Sequence, residues 1–131
     1  ILEKYDPKNR DFKPSDEFMS KLKSKDWGRW AVAMPSGKKA VAPPYGSAPV
    51  GSMPADFLTD NDITGGNSGS PVLNAEGKVI GLAFDGNKES LASDLYAVPD
   101  YNKCVCVDIR YVLWTLDKYA GMSRIIEELG L

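Results

Sequence analysis

One stretch limits the choice of folds more than any other: Asp62-Ile63-Thr64-Gly65-Gly66-Asn67-Ser68-Gly69-Ser70-Pro71-Val72. Small residues surround Ser68 there, so the backbone can turn sharply and bring its N–H groups close to a ligand. Pro71 ends that turn, and the apolar run behind it reads as a strand rather than a helix. A hydroxyl on such a turn becomes a nucleophile when a base takes its proton, and the amides of Gly66 and Ser68 can then hold the developing oxyanion. The same residues also describe a plain Gly/Ser/Asn turn between two strands.

Competing motifs fit less well. Gly66-Asn67-Ser68-Gly69-Ser70 nearly spells the nucleophile elbow, but that motif needs a helix directly after its serine, and Pro71 signals a strand. No Gly-Lys-Ser/Thr follows the glycines, which excludes a phosphate loop. No group of residues has metal-ligand spacing, and the chain has no histidine, so neither a metal nor another cofactor is expected. The setting Gly-(Asp/Asn)-Ser-Gly-(small)-Pro instead matches the chymotrypsin-type template. Ser68 is then the nucleophile, and Ser70 stands in for a second glycine. The expected fold is mainly β, part of a chymotrypsin-like double β-barrel with flanking helices, one of them C-terminal.

The missing histidine has a chemical consequence. A serine hydroxyl needs a general base, so the base must lie on another segment and this chain alone is expected to be inactive. Asp62, six residues before Ser68, stands where trypsin-like enzymes place a selector for basic side chains; it also fits a loop cap that accepts backbone N–H bonds. Asn67 cannot pair with a freed N-terminal ammonium, which argues against activation by N-terminal cleavage.

The chain's 131 residues, 43% of them hydrophobic, suit one domain. Its 16 basic and 18 acidic residues are mixed along the chain, so nucleic acid is not an expected partner. No apolar run approaches the roughly 20 residues that span a bilayer. The start Ile1-Leu2-Glu3-Lys4 has neither an initiating Met nor a signal-peptide pattern, the expectation for a piece of a longer chain. Cys104 and Cys106 are two apart on a strand and share a face; a bridge between them would be strained, so free buried thiols are expected.

Three regions follow in order. Residues 1–33 form a helical lead-in, with a helix starting at the N-cap Ser15, Asp16 and Glu17 in its first turn, and Gly28 as its stop. Phe18, Met19 and Leu22 share its apolar face. Residues 34–54 form a Pro/Gly-rich loop flanked by Trp27, Trp30 and Tyr45, which are expected to pack in the core or at its rim. Residues 55–131 form the C-terminal half of the barrel with its helix. Strands are expected at 55–59, 71–73, 78–84 and 104–108, with a hairpin turn at Asn74-Ala75-Glu76-Gly77 and a break at Asp85-Gly86-Asn87. A polar excursion covers 88–101, one helix ends at Gly121, and a final helix spans 123–129.

Three blocks carry a closer likeness: Asn61 to Val72, Ile80-Gly81-Leu82-Ala83-Phe84-Asp85-Gly86-Asn87, and Val107-Asp108-Ile109-Arg110-Tyr111-Val112-Leu113-Trp114. In this order they resemble the nucleophile region of the bacterial dipeptidyl-peptidases 7 and 11. The resemblance implies a large exopeptidase that removes dipeptides from free N-termini. It implies a periplasmic or cell-surface location in Gram-negative bacteria, with the triad histidine and aspartate supplied upstream by the parent polypeptide. It makes Ser68 the nucleophile and gives Asp85 the substrate's terminal ammonium, a charge-assisted contact that would measure off two residues. Gly86 falls where arginine goes with acidic P1 side chains and glycine with apolar ones, which implies the dipeptidyl-peptidase 7 branch and weighs against Asp62 as a selector.

Two other functions stay open on sequence: a chymotrypsin-like endopeptidase, and a non-catalytic peptide-binding module on a degenerate barrel. An interrupted barrel would expose strand edges, which permits self-association into a homodimer.

Overall fold

The computed structural model describes residues 6–33, 48–92, 95–96 and 100–131. Residues 34–47 of the Pro/Gly-rich stretch, Tyr45 among them, and parts of the excursion 88–101 lie outside the described residues. Among the described residues, four strands, β1 (Asp56–Thr59), β2 (Pro71–Leu73), β3 (Val79–Gly86) and β4 (Cys104–Asp108), form one antiparallel sheet in the order β1-β4-β3-β2. Among the described residues, three α-helices accompany it: α1 (Asp16–Ser24), α2 (Ile109–Trp114) and α3 (Ser123–Glu128). This is the mainly β arrangement with a few helices that was expected.

The sheet follows from its alternation. Phe57, Ala83 and Cys106 are register partners across three strands, and Val72 lies opposite Gly81. Val72, Ala83, Cys104 and Cys106 form the buried cluster, with Phe57, Ile63 and Ile80 packed against it. Asn74 closes the β2–β3 hairpin: its side-chain oxygen accepts the N–H groups of Glu76 and Lys78 at 3.1 and 2.9 Å. Gly81 has no room for a side chain, since an added Cβ would sit 2.5 Å from the Val107 carbonyl oxygen and 2.6 Å from the Phe57 ring. Backbone in a paired strand cannot retreat, so Gly81→Ala is expected to cost about 2–3 kcal/mol of stability. A urea titration checks this, and a loss below about 0.5 kcal/mol would show that strand and ring yield freely.

The thiols behave as the spacing suggested. Cys104 and Cys106 are free and fully buried, with sulfurs 3.4 Å apart. Burial, then the hydrogen bond with Cys104, pushes the Cys106 thiol from 9.0 up to about 11. The folded state thus holds this proton more tightly than the unfolded chain does. Its contribution is complete below the unfolded value and lost as pH rises through the folded one. The melting temperature should therefore fall between about pH 9 and 11. Cys106→Ala should flatten that fall; an unchanged slope would assign it to other groups.

At the Asp108 end of the sheet a second cluster joins the helices: Met19 and Leu22 of α1, Trp30, Leu113 and Trp114 of α2, and Ile126 of α3. Trp114 is fully buried, its Nε1 donating to the Asp26 carbonyl at 3.0 Å, with Phe18 and Trp27 edge-on to its ring. Asp108 links sheet and helix. Buried, it caps α2 through the Arg110 N–H at 2.9 Å and takes the Arg110 guanidinium on both carboxylate oxygens, at 2.9 and 2.7 Å. That pairing raises the Arg110 pKa further.

Three boundaries differ from expectation. The first helix stops at Ser24 rather than Gly28, because the Ser24 hydroxyl donates to the Lys21 carbonyl at 2.8 Å and Lys25 takes a left-handed φ of 55°. The chain thereby folds Trp27 and Trp30 back onto Trp114, the packing role expected of both. The helix from Ile109 does not run regularly to Gly121: a π turn over Thr115–Tyr119 widens it, and this places the Asp117 carboxylate 2.8 Å from Trp30 Nε1. The third is β3, which continues through Asp85 and Gly86 instead of breaking there.

Candidate active site

The serine loop is held from both sides. Within it, Asn67 donates its N–H to the Thr64 carbonyl at 3.2 Å and accepts the Thr64 N–H on its side-chain oxygen at 2.8 Å. Its own carbonyl takes the Ser70 N–H at 3.0 Å. Outward, Gly69 N–H donates to the Ala83 carbonyl at 2.6 Å, and Ala83 N–H donates to the Ser70 carbonyl at 2.9 Å. These bonds extend the β2–β3 pairing up to the serine. Gly66 and Gly69 adopt φ of 98° and 89°, a region costly for residues with a Cβ.

This wiring leaves particular donors over. Among the described residues of the loop from Ile63 to Ser70, the N–H groups of Ile63, Gly65, Gly66 and Ser68 have no hydrogen-bond partner, while those of Thr64, Asn67, Gly69 and Ser70 are all used. Ser68 itself is exposed, and its hydroxyl donates to the Phe84 carbonyl at 3.1 Å. No base accepts its proton among the described residues.

The Phe84 carbonyl is reachable because of a β-bulge. Ala83 pairs with Cys106 and Asp85 with Val105, so Phe84 is an extra residue without a partner on β4. The bulge lets β3 resume pairing through Gly86, opposite Cys104, which is why the expected break does not occur. Asp85 and Gly86 directly follow Phe84, the residue that contacts Ser68. Asp85 is exposed, with Oδ1 accepting the Gly86 N–H at 2.8 Å.

Ser68, Gly66, Asp85 and Gly86 thus occupy one end of the sheet, on the serine loop and the outer end of β3. Asp62 is exposed beside that loop, and among the described residues no backbone N–H donates to it. The capping it offered is done by Asn67. Sequence reasoning passed over three contributors: the Phe84 carbonyl, the loop-closing side chain of Asn67, and Asn87. Asn87 binds the strand end to the excursion, accepting the Lys103 N–H at 3.0 Å and donating to the Tyr101 carbonyl at 2.6 Å. An Asn following Asp-Gly was a signal for such a turn lock.

Among the described residues, no three His, Cys, Asp or Glu side chains come together to hold a metal ion, and no helix is long and apolar enough to cross a membrane.

The peptidase S46 family model matches residues 1–131. Dipeptidyl-peptidase 7 of Phocaeicola vulgatus is 44% identical over 131 residues, all of this chain and 16% of that protein. Dipeptidyl-peptidase 7 of Porphyromonas endodontalis is also 44% identical over 131 residues, which is 14% of its length. The Asp/Glu-specific dipeptidyl-peptidase of Porphyromonas endodontalis is 37% identical over 129 residues, 98% of this chain and 16% of that one. Among solved structures, Porphyromonas endodontalis DPP11 in complex with substrate superposes with a TM-score of 0.82 at 36% identity, over 98% of this chain and 16% of that one. The chain therefore spans about a sixth or less of the length of these relatives.

Proposed function

The chain belongs to the peptidase S46 family, and from that premise we propose that it carries the nucleophile of a serine-type dipeptidyl-peptidase. Ser68 Oγ attacks the scissile carbonyl carbon while its proton passes to a base on another part of the parent polypeptide. The N–H groups of Gly66 and Ser68 bind the oxyanion of the tetrahedral intermediate. Its collapse releases the shortened peptide and leaves a dipeptidyl ester on Ser68, which water then hydrolyses. Asp85 takes the substrate's free ammonium, and Gly86 opens the P1 site to an apolar side chain.

The observation that supports this reading best is the pattern of spent and unspent amides. Among the described residues, the bonds that fix the serine loop leave the N–H groups of Gly66 and Ser68 unused, along with those of Ile63 and Gly65, so the two donors beside the hydroxyl are held in place without being consumed. Preorganised donors of this kind stabilise the transition state without reorganising during the reaction. The apolar P1 preference rests on Gly86, which brings no charge to the site. We assign the whole protein to a chymotrypsin-like double barrel in the periplasm of a Gram-negative bacterium. Leu58, Leu73 and Val79, exposed in the sheet by 55%, 54% and 45%, offer the remaining polypeptide an apolar surface to cover.

The test compares fluorophore release by the complete parent protein from a free-amine dipeptide with apolar P1 and from its N-acetylated twin. Cleavage of the free-amine form alone is expected. Equal cleavage of both would indicate an endopeptidase, and cleavage of neither a binding module.

A further inference from the structure

Gly86 closes β3 opposite Cys104, and the chain then turns into a short 3₁₀ segment over Lys88–Ala92. That turn folds Ser90 back over Gly86. The Ser90 N–H and hydroxyl both donate to the Asn87 carbonyl, at 3.0 and 2.7 Å. Asn87 is itself fixed: its N–H donates to the Lys103 carbonyl at 2.9 Å, and its side chain bonds the Lys103 N–H, the Tyr101 carbonyl and Glu89. The Ser90 hydroxyl is therefore a placed, half-buried group rather than a rotor in solvent.

Its position coincides with the space a side chain at residue 86 would need. A Cβ built on Gly86 would overlap Ser90 Oγ, whereas Ser90 Cβ would be at 3.5 Å, an ordinary contact. The path along which residue 86 would send a side chain is the path the Ser90 hydroxyl occupies. Glycine at 86 thus describes only half of this corner.

Resting on the reading of Gly86 as a P1-site residue, we propose that Ser90 is a second specificity-determining residue. Its hydroxyl, clamped to Asn87, forms the wall against which the P1 side chain ends. A larger group at position 86 enters only if that hydroxyl leaves the Asn87 carbonyl and gives up its hydrogen bond. The clamp, as well as the glycine, keeps a charged side chain out of the site.

The experiment uses the complete parent enzyme as wild type, Ser90→Ala, Gly86→Arg and Gly86→Arg/Ser90→Ala. Free-amine fluorogenic dipeptides with Leu, Phe or Asp at P1 are the probes. Ratios of kcat/KM between substrates are the readout, because they do not depend on how much of each variant folds. Removing Oγ deepens the site, so Ser90→Ala should raise the Phe-to-Leu ratio by about 3- to 10-fold. Gly86→Arg alone should depress cleavage after Leu without gaining cleavage after Asp. The double variant should raise the Asp-to-Leu ratio at least about tenfold over Gly86→Arg. An equal ratio in the single and double variants, or an unmoved Phe-to-Leu ratio in Ser90→Ala, would overturn the role of Ser90. Wild-type enzyme that cleaves none of the free-amine substrates would overturn the dipeptidyl-peptidase reading itself, a result distinct from either.

Discussion

Replacing Ser68 by Ala in the complete parent protein is expected to lower kcat/KM for a free-amine dipeptide substrate by about 10⁴- to 10⁶-fold. The size follows from what remains. Gly66 and Ser68 N–H groups survive the substitution, since both belong to the backbone, so oxyanion binding persists while covalent attack is lost. The effect on folding should be small. Ser68 is exposed, its one side-chain bond among the described residues is to the Phe84 carbonyl, and the loop is held by Asn67, Gly69 and Ser70 instead. A melting curve should place the variant within about 0.5 kcal/mol of wild type, as for an ordinary surface change. Fluorophore release and melting read together separate loss of the nucleophile from loss of the fold. Residual activity above a tenth of wild type would remove Ser68 from the nucleophile's role.

The sheet and the serine loop were legible because local rules and tertiary packing agree there. Pro71 starts a strand where its missing N–H costs nothing, Asn74 and Gly77 close a hairpin, and the alternation of Cys104, Cys106 and Asp108 puts all three on the buried side. Ser15 caps its helix as its position suggested, accepting the Phe18 N–H at 3.1 Å. The features that were not legible depend on partners distant in sequence. Nothing local marks Phe84 as a bulge; it becomes one because Asp85 and Gly86 gain pairing with Val105 and Cys104. The end of α1 is set by the demand of Trp114 for Trp27 and Trp30 as neighbours, so Lys25 accepts a left-handed backbone that glycine would adopt more cheaply. The π turn at Thr115–Tyr119 has the same origin in Asp117 reaching Trp30, 87 residues away. Around Ser68, the turn before Pro71 was readable from the neighbouring residues, but the contact of the Ser68 hydroxyl with Phe84, 16 residues on, was not.

Asp85 carries the second large effect. Its Oδ1 is tied to the Gly86 N–H at 2.8 Å, which fixes the carboxylate, and among the described residues Oδ2 has no partner. A carboxylate fixed by its own strand end, one residue beyond the carbonyl that holds Ser68 Oγ, suits a ruler between the nucleophile and a terminal ammonium. Asp85→Asn isolates the charge, because the side-chain oxygen can still accept the Gly86 N–H while the negative charge is gone. Neutralising one partner of an ion pair that the bound substrate encloses should cost about a thousandfold in kcat/KM on free-amine dipeptides. The N-acetylated twin brings no ammonium, so its cleavage rate should stay where it was and the preference for free amines should collapse. A structural fault would instead lower both rates together. If Asp85→Asn keeps the full preference, the charge that measures off two residues belongs to the remaining polypeptide, and Asp85 merely ends its strand.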